Sequence, residues 1–263
     1  MADKNYLHTA YANSADGTDG FTTVYPNLNL LDGTKGFSGI WVNSELSTDD
    51  GTYKGFSVKK RTDQWGGISK EFTVSKNSDY TFSAFAKGAG IGTNFIRIVL
   101  INGVEKSNLE KTWNSAFDWE RDSITFSAED IEVGDKIIVR YEISVLGITS
   151  VIWTAGHKWE EGSTATPWMP SASEVTTADW PKYVGAYVDT NPVSSTVSSK
   201  YDWDEMKYRV YLDGVPVGGS KLLSFDLENL KAGTSYNVQV SQINGNVESD
   251  KSESVAFKTT LPK

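Results

Sequence analysis

The chain has 263 residues, no cysteine, 38% hydrophobic and 22% charged residues, and a net charge of −9 at pH 7. That is the composition of a folded protein of one large or two ordinary domains, held by packing and hydrogen bonds and without disulfides, thiolate catalysis or cysteine-bound zinc. No apolar run reaches the ~20 residues that cross a bilayer, Met1-Ala2-Asp3-Lys4 has no signal-peptide core, and an acidic chain without a Lys/Arg cluster repels phosphate backbones, so neither membrane insertion nor nucleic-acid binding is expected.

Read from the start, residues 1–25, which include Tyr6-Leu-His-Thr-Ala-Tyr-Ala-Asn-Ser-Ala-Asp-Gly17, precede the first alternating run. Period-two alternation, rich in Val, Ile, Tyr, Phe and Thr, then marks strands at 71–74, 80–86, 95–101, 123–127, 136–143, 207–212, 236–243 and 255–259. Lys76-Asn-Ser-Asp79, Asn102-Gly103, Gly134-Asp135, Asp213-Gly214 and Asn244-Gly-Asn246 supply the short polar turns between them. The sole helical candidate is Ser127–Ile131, one turn at most. This pattern predicts an all-β protein of antiparallel sandwiches. Two prolines and small residues in Thr164–Ser173, then Trp180-Pro181, divide it. The predicted segments are connector 1–25, a large sandwich 26–170, a linker 171–183 and a small sandwich 184–263.

Two resemblances follow from particular residues. Leu230 and Tyr236, with Gly233-Thr-Ser before the tyrosine, resemble the tyrosine corner of fibronectin type III domains, in which the phenol reaches back to the backbone upstream of its strand. Trp203 stands only a few residues before Tyr208, short for the second-to-third strand connection of that fold. In the large segment, Asn27-Leu-Asn-Leu-Leu-Asp-Gly33, Trp65-Gly-Gly-Ile-Ser-Lys-Glu-Phe-Thr-Val74, Tyr80–Lys87, Trp113 and Trp119–Phe126 are followed by His157-Lys-Trp-Glu-Glu-Gly-Ser-Thr-Ala-Thr-Pro-Trp168. This order resembles the jelly-roll carbohydrate-binding modules on tail and baseplate proteins of long-tailed phages infecting lactic acid bacteria. The resemblance implies a jelly-roll β-sandwich followed by a small fibronectin type III-like β-sandwich. It also implies a place on the virion, other phage tail or baseplate proteins as partners, and host cell-wall polysaccharide as ligand. The flanks 6–17 and 180–189 are similar to connector strands of such proteins, so the sandwich is expected to interrupt a connector unit.

Seven of the nine tryptophans lie between Trp41 and Trp168, mostly beside Gly, Asn, Asp or Thr, a distribution that suits sugar rings better than a core. A pyranose packs its apolar face on an indole or phenol, while its hydroxyls pair with short polar side chains. The candidates are Trp41 with Asn43, Tyr53, Trp65 with Arg61, Asp63 and Gln64, and Trp113 with Asn114. Trp65 leads, because Gly66 and Gly67 would let a ligand near the backbone. Trp159 is expected to point inward and Trp168 to plug the base of the sandwich. Trp119 is read as pairing with Arg121 or contacting ligand, and Trp153 is ambiguous.

Catalysis has little material. Glu160 and Glu161 are neighbours on a strand and point to opposite faces, no nucleophile elbow, zinc or nucleotide motif occurs, and His8 and His157 are the only histidines. A non-enzyme is expected. No cofactor is expected either, although the Asp16-Gly-Thr-Asp-Gly20 and Asp49-Asp50-Gly51 turns, with the resemblance, leave room for a structural calcium. The competing reading is a virion assembly protein whose aromatic surface meets other subunits, since interfaces favour Trp, Tyr and Arg as well.

Overall fold

Strand-forming alternation dominates the structure, a computed structural model that describes residues 4–228 and 230–260. In chain order the strands are β1 (Tyr6–Ala12), β2 (Phe21–Thr22), β3 (Thr48–Tyr53), β4 (Phe56–Arg61), β5 (Phe72–Thr73), β6 (Tyr80–Ile91), β7 (Asn94–Ile101), β8 (Val104–Glu105), β9 (Lys111–Trp113), β10 (Phe117–Phe126), β11 (Lys136–Val145) and β12 (Ile148–Glu161). They continue with β13 (Tyr183–Asp189), β14 (Asp202–Glu205), β15 (Tyr208–Leu212), β16 (Val215–Ser220), β17 (Ser235–Asn244), β18 (Val247–Glu248) and β19 (Val255–Lys258). Ser127–Ile131 is a simple turn, closed by Asp130 N–H to the Ser127 carbonyl at 2.9 Å. The chain forms two compact units, Leu28–Val175 and the segments on either side of it.

In Leu28–Val175, one sheet has the order β10-β6-β12-β4-β3 and the other β5-β11-β7-β8, with β9 also on β7. Alternation explains the core between them. Tyr80, Phe82, Ala84 and Ala86 of β6 face Ile137, Val139, Tyr141 and Ile143 of β11 in one buried cluster. Trp159 points inward, as its place in the strand requires, and stacks on Phe72 at 4.4 Å. Each of the larger apolar side chains contributes about 1.5–3 kcal/mol by leaving water. A buried ion pair, Arg97 to Asp122 at 2.8 Å, crosses this core, and the Tyr141 hydroxyl donates to the same carboxylate at 3.1 Å.

The outward face of β12 is unusual for its charge. Lys158 and Glu160, both fully buried, lie 3.1 Å apart. Lys158 Nζ also donates to Thr166 Oγ1 at 2.7 Å and the Pro167 carbonyl at 2.8 Å, and Thr166 N–H donates to Glu160 at 2.9 Å. The pair thus pins the 166–168 segment over the sheet. Burial pulls the Lys158 ammonium down to about 8, since leaving water disfavours its charged form. Glu161, on the opposite face, meets Lys76 at the surface.

The ends of this unit are tied together by one side chain. The Asn29 amide, 2% exposed, donates to Thr34 Oγ1 at 2.8 Å and the His157 carbonyl at 2.9 Å. Its carbonyl oxygen accepts from Trp159 N–H at 3.0 Å and Leu31 N–H at 3.1 Å. Beside it, Asn29 N–H donates to the Pro170 carbonyl at 3.0 Å and Ser171 forms a parallel bridge. The first and last residues of the unit therefore emerge side by side, the geometry an insertion needs.

The flanking segments build the second unit from a sheet β14-β13-β1-β2 and a sheet β16-β15-β17-β18, with β19 also on β17. β1 pairs antiparallel with β13 from Tyr6 opposite Asp189 to Ala12 opposite Tyr183. Trp203 belongs to β14 and packs on Phe21 and Tyr201, so it serves the sheet that contains β1. The phenol of Tyr236 accepts a hydrogen bond from Lys231 N–H at 2.9 Å, the reach-back its spacing predicts. Arg209 donates to Tyr25 Oη at 2.9 Å, pairs with Glu248 and lies 4.8 Å from the Trp180 ring.

Asn29→Ala is expected to destabilise the protein by about 2–4 kcal/mol, because it leaves buried donors and acceptors unpaired on β12 and at both ends of the unit. Denaturant unfolding measures this, and a loss below about 0.5 kcal/mol would contradict the role given to Asn29.

Candidate functional site

The residues expected to form a sugar site fall in four separate places. Around Trp65, four of them meet. Trp65 is 47% exposed and left-handed (φ 60°), and its N–H donates to the Ile143 carbonyl at 3.1 Å. Arg61 donates to the Trp65 carbonyl and to the Leu46 carbonyl, Gln64 Nε2 to the Ser144 carbonyl, and Asn43 Nδ2 to the Gly67 carbonyl at 3.1 Å. Their polar groups are committed to holding this loop against the edge of β11. Gly67 serves the same contact: a Cβ there would sit 2.2 Å from the Tyr141 carbonyl oxygen, and its N–H donates to the buried Glu142 carboxylate at 2.9 Å. The glycine makes room for β11, a different reason from ligand approach. Asp63 is exposed.

Trp41 corrects the expectation of an open indole. It is 5% exposed, packed with Phe37 and Ile68 and edge-on to His157 at 5.3 Å, and its N–H donates to the Ser38 carbonyl at 3.0 Å. Its immediate neighbours Ile40 and Val42 are exposed, so its burial is decided by partners distant in sequence, Ile68 and His157. Trp113 is half-buried on β9, stacked on Phe117 at 4.8 Å, with its N–H on Glu120 at 3.0 Å and Lys111 4.4 Å from the ring. Asn114 beside it is exposed.

Tyr53 has gathered partners that its sequence context does not announce. It ends β3, at the tip of the β3–β4 hairpin, and stacks on Trp119 of β10 at 4.2 Å and 10°. Phe85 of β6 lies edge-on to it at 5.3 Å and packs in turn on Phe56. Trp153 belongs to the same outer face of the sheet, and its N–H donates to Asp50 Oδ2 at 2.6 Å. Trp168 closes the far side, its ring against Phe56 and its N–H on Thr34 Oγ1 and the His157 carbonyl. Trp119, expected either to pair with Arg121 or to contact ligand, stacks on Tyr53, while Arg121 donates to Ser83 Oγ at 2.8 Å and the Thr166 carbonyl. Tyr53, Phe85, Trp119 and Trp153 are all half-buried. The signal available in the sequence was the outward register of Phe85 on β6 and Trp153 on β12; the Tyr53–Trp119 contact depends on the hairpin folding over.

Around these rings the charges are paired. Lys59 meets Asp49 at 2.8 Å, Lys60 meets Asp50 at 3.3 Å and Lys87 meets Asp118 at 3.0 Å. The Trp153 N–H, aided by Lys60, holds the Asp50 carboxyl below its usual range, and the Trp119 backbone N–H and Lys87 do the same for Asp118. The carboxylates of both aspartate turns have protein partners. Asp16 accepts from Thr18 N–H and Oγ1, Asp19 from Ser14, and among the described residues no three His, Cys, Asp or Glu side chains gather to hold a metal.

Residues 181–239 match the family described as Minor structural protein 5-like, C-terminal domain. No curated protein matches the chain. Over 100% of both chains it is similar, at 50% identity and a TM-score of 0.73, to a chain of the tripod (BppUct-A-L) from the baseplate of bacteriophage Tuc2009. Fainter likenesses are to the CBM22-1 xylan-binding domain from Paenibacillus barcinonensis Xyn10C, at 18% identity over 54% of this chain and 99% of that one with a TM-score of 0.37, and to TmCBM61 in complex with β-1,4-galactotriose, at 12% over 51% and 99% with a TM-score of 0.38. Neither of these two is close enough to bear on fold or ligand.

The buried box around Trp41 makes a pH prediction. His157 is 2% exposed, ringed by Phe37, Trp41 and Phe82, and burial pushes its imidazole down to about 3 from 6.5. Between those values the unfolded chain binds the extra proton and the folded one does not, so stability falls as pH falls below 6.5. The expected slope is about 1.4 kcal/mol per pH unit. Denaturant unfolding of the parent and His157→Phe between pH 7 and 5 checks this. The variant should have the flatter profile; equal slopes would sink the assignment.

Proposed function

We propose an assembly role on the virion for this chain, which belongs to the family of phage baseplate tripod proteins represented in bacteriophage Tuc2009. The protein is a non-catalytic structural component of the phage baseplate or tail. The observation that carries the assembly reading is similarity along the whole of both chains, so each of its units has a counterpart in a tripod protein. A surface in Leu28–Val175 supports it. Leu46 (45% exposed) and Trp65 lie where the Gln64–Gly67 loop meets β11, and Val145, Leu146, Ile148 and Ile91 follow at the turns beyond, all exposed. Apolar groups of this size in company mark contact surfaces in proteins that assemble, and an exposed Trp is a frequent anchor. Trp65→Asp is expected to weaken binding to purified baseplate subunits about tenfold or more while the melting temperature holds. Unchanged binding would remove this surface from the interface.

A second reading is favoured by the outer face of the β10-β6-β12-β4-β3 sheet. On this reading Leu28–Val175 is a jelly-roll carbohydrate-binding module, the β15–β19 sheet belongs to a fibronectin type III-like module, and host cell-wall saccharide is the ligand. The supporting observation is four half-buried aromatic rings, Tyr53, Phe85, Trp119 and Trp153, on one sheet face with lysines and aspartates at their rim. Trp65, Asp63, Trp113 and Asn114 stay accessible outside that face as further contacts, while Trp41, Asn43, Arg61 and Gln64 would act by shaping the loop. One such site is weak, because a stacked ring gains little beyond the cost of binding, and repetition on a virion raises avidity. Fluorescently labelled protein should decorate host cells, and Tyr53→Ala with Trp119→Ala should lose at least tenfold of that binding. Decoration that survives the double substitution would contradict the use of this face.

A further inference from the structure

Lys54 occupies a position that the hairpin alone would not select. The β3–β4 loop is Lys54-Gly55, between Tyr53 and its partner Phe56, and both loop residues are left-handed, at φ 49° and 82°. Such two-residue turns favour Asn or Asp followed by Gly, because a longer side chain is strained there. The lysine puts its Nζ 5.7 Å from the Tyr53 ring centroid and 5.2 Å from that of Phe85, at the exposed tip of the aromatic face.

Charge accounting isolates the same residue. Lys59, Lys60 and Lys87 are matched one to one by Asp49, Asp50 and Asp118. Among the described residues no ion pair joins Lys54 to a carboxylate. The face therefore carries one unmatched positive charge, set against half-buried rings, on a chain of net charge −9 that repels anions elsewhere.

Resting on the saccharide reading of this face, we propose that the sugar accepted there is anionic, bearing a phosphate or carboxylate substituent, and that Lys54 selects it. The ring of the sugar packs against the aromatic surface and its charged substituent meets the Lys54 ammonium. The rings supply affinity shared by neutral and charged sugars, and Lys54 supplies the difference between them.

Calorimetry of the full chain tests this with hexasaccharides of glucose, galactose and N-acetylglucosamine, each neutral, 6-phosphorylated or oxidised to the uronate. At low salt, one charged series should bind roughly three- to tenfold tighter than its neutral parent, and which series does so separates phosphate from carboxylate. High salt should compress the preference, Lys54→Gln should abolish it, and Lys54→Arg should keep it. Tyr53→Ala should weaken neutral and charged sugars alike. Equal binding of neutral and charged forms, or a preference that survives Lys54→Gln in a variant of unchanged melting temperature, overturns the proposal while leaving the saccharide reading standing. Absence of binding to every oligosaccharide sinks the saccharide reading and this one with it.

Discussion

A single buried carboxamide sets the layout of the larger unit. Asn29 uses both donors and its carbonyl oxygen to join the start of the unit to β12, while its backbone joins the start to the end. Asn29 is 2% exposed, and its buried polar groups are satisfied by protein partners at the two ends, which fixes how those ends meet. That arrangement lets a whole sandwich be carried between two segments that fold together elsewhere, β1 pairing with β13 along its length. It also fixes β12, and β12 in turn carries Trp159 inward and the Lys158–Glu160 pair outward.

Polar chemistry near the aromatics divides by purpose. Around Trp65, the side chains of Arg61, Gln64 and Asn43 hold backbone carbonyls, which leaves an apolar rim with little left to offer a hydroxyl. Around Tyr53 and Trp119, the side chains are paired ions at the edge of half-buried rings. On the two readings proposed above, the first surface would serve as a subunit contact and the second as a ligand face, and both could operate together because the two surfaces are separate.

Much of the architecture was legible because its causes are local. Alternation at 80–86 and 136–143 reports the two faces of β6 and β11, and the separation of Leu230 and Tyr236 reports a phenol that reaches Lys231. Glu160 and Glu161 divide between faces for the same reason. The candidate site was legible only in part. Trp41, between Ile40 and Val42, lies under Phe37 and His157, while Trp65, between Gln64 and Gly66, lies at the surface, and the residues that cover Trp41 are not those beside it in sequence. The Tyr53–Trp119 stack joins strands from opposite edges of one sheet, and no spacing rule brings such residues together. The burial of Lys158 and Glu160 follows from Thr166 and Pro167 folding back over them, a contact that alternation along β12 does not report.

Hydrogen exchange on assembled baseplates, compared with the free chain, tests the central division most directly. Amides around Ile143–Thr149 should become protected on assembly while those of the Tyr53–Phe56 tip exchange as they do in the free protein. Protection of the hairpin tip, with the 143–149 turn unchanged, would contradict it.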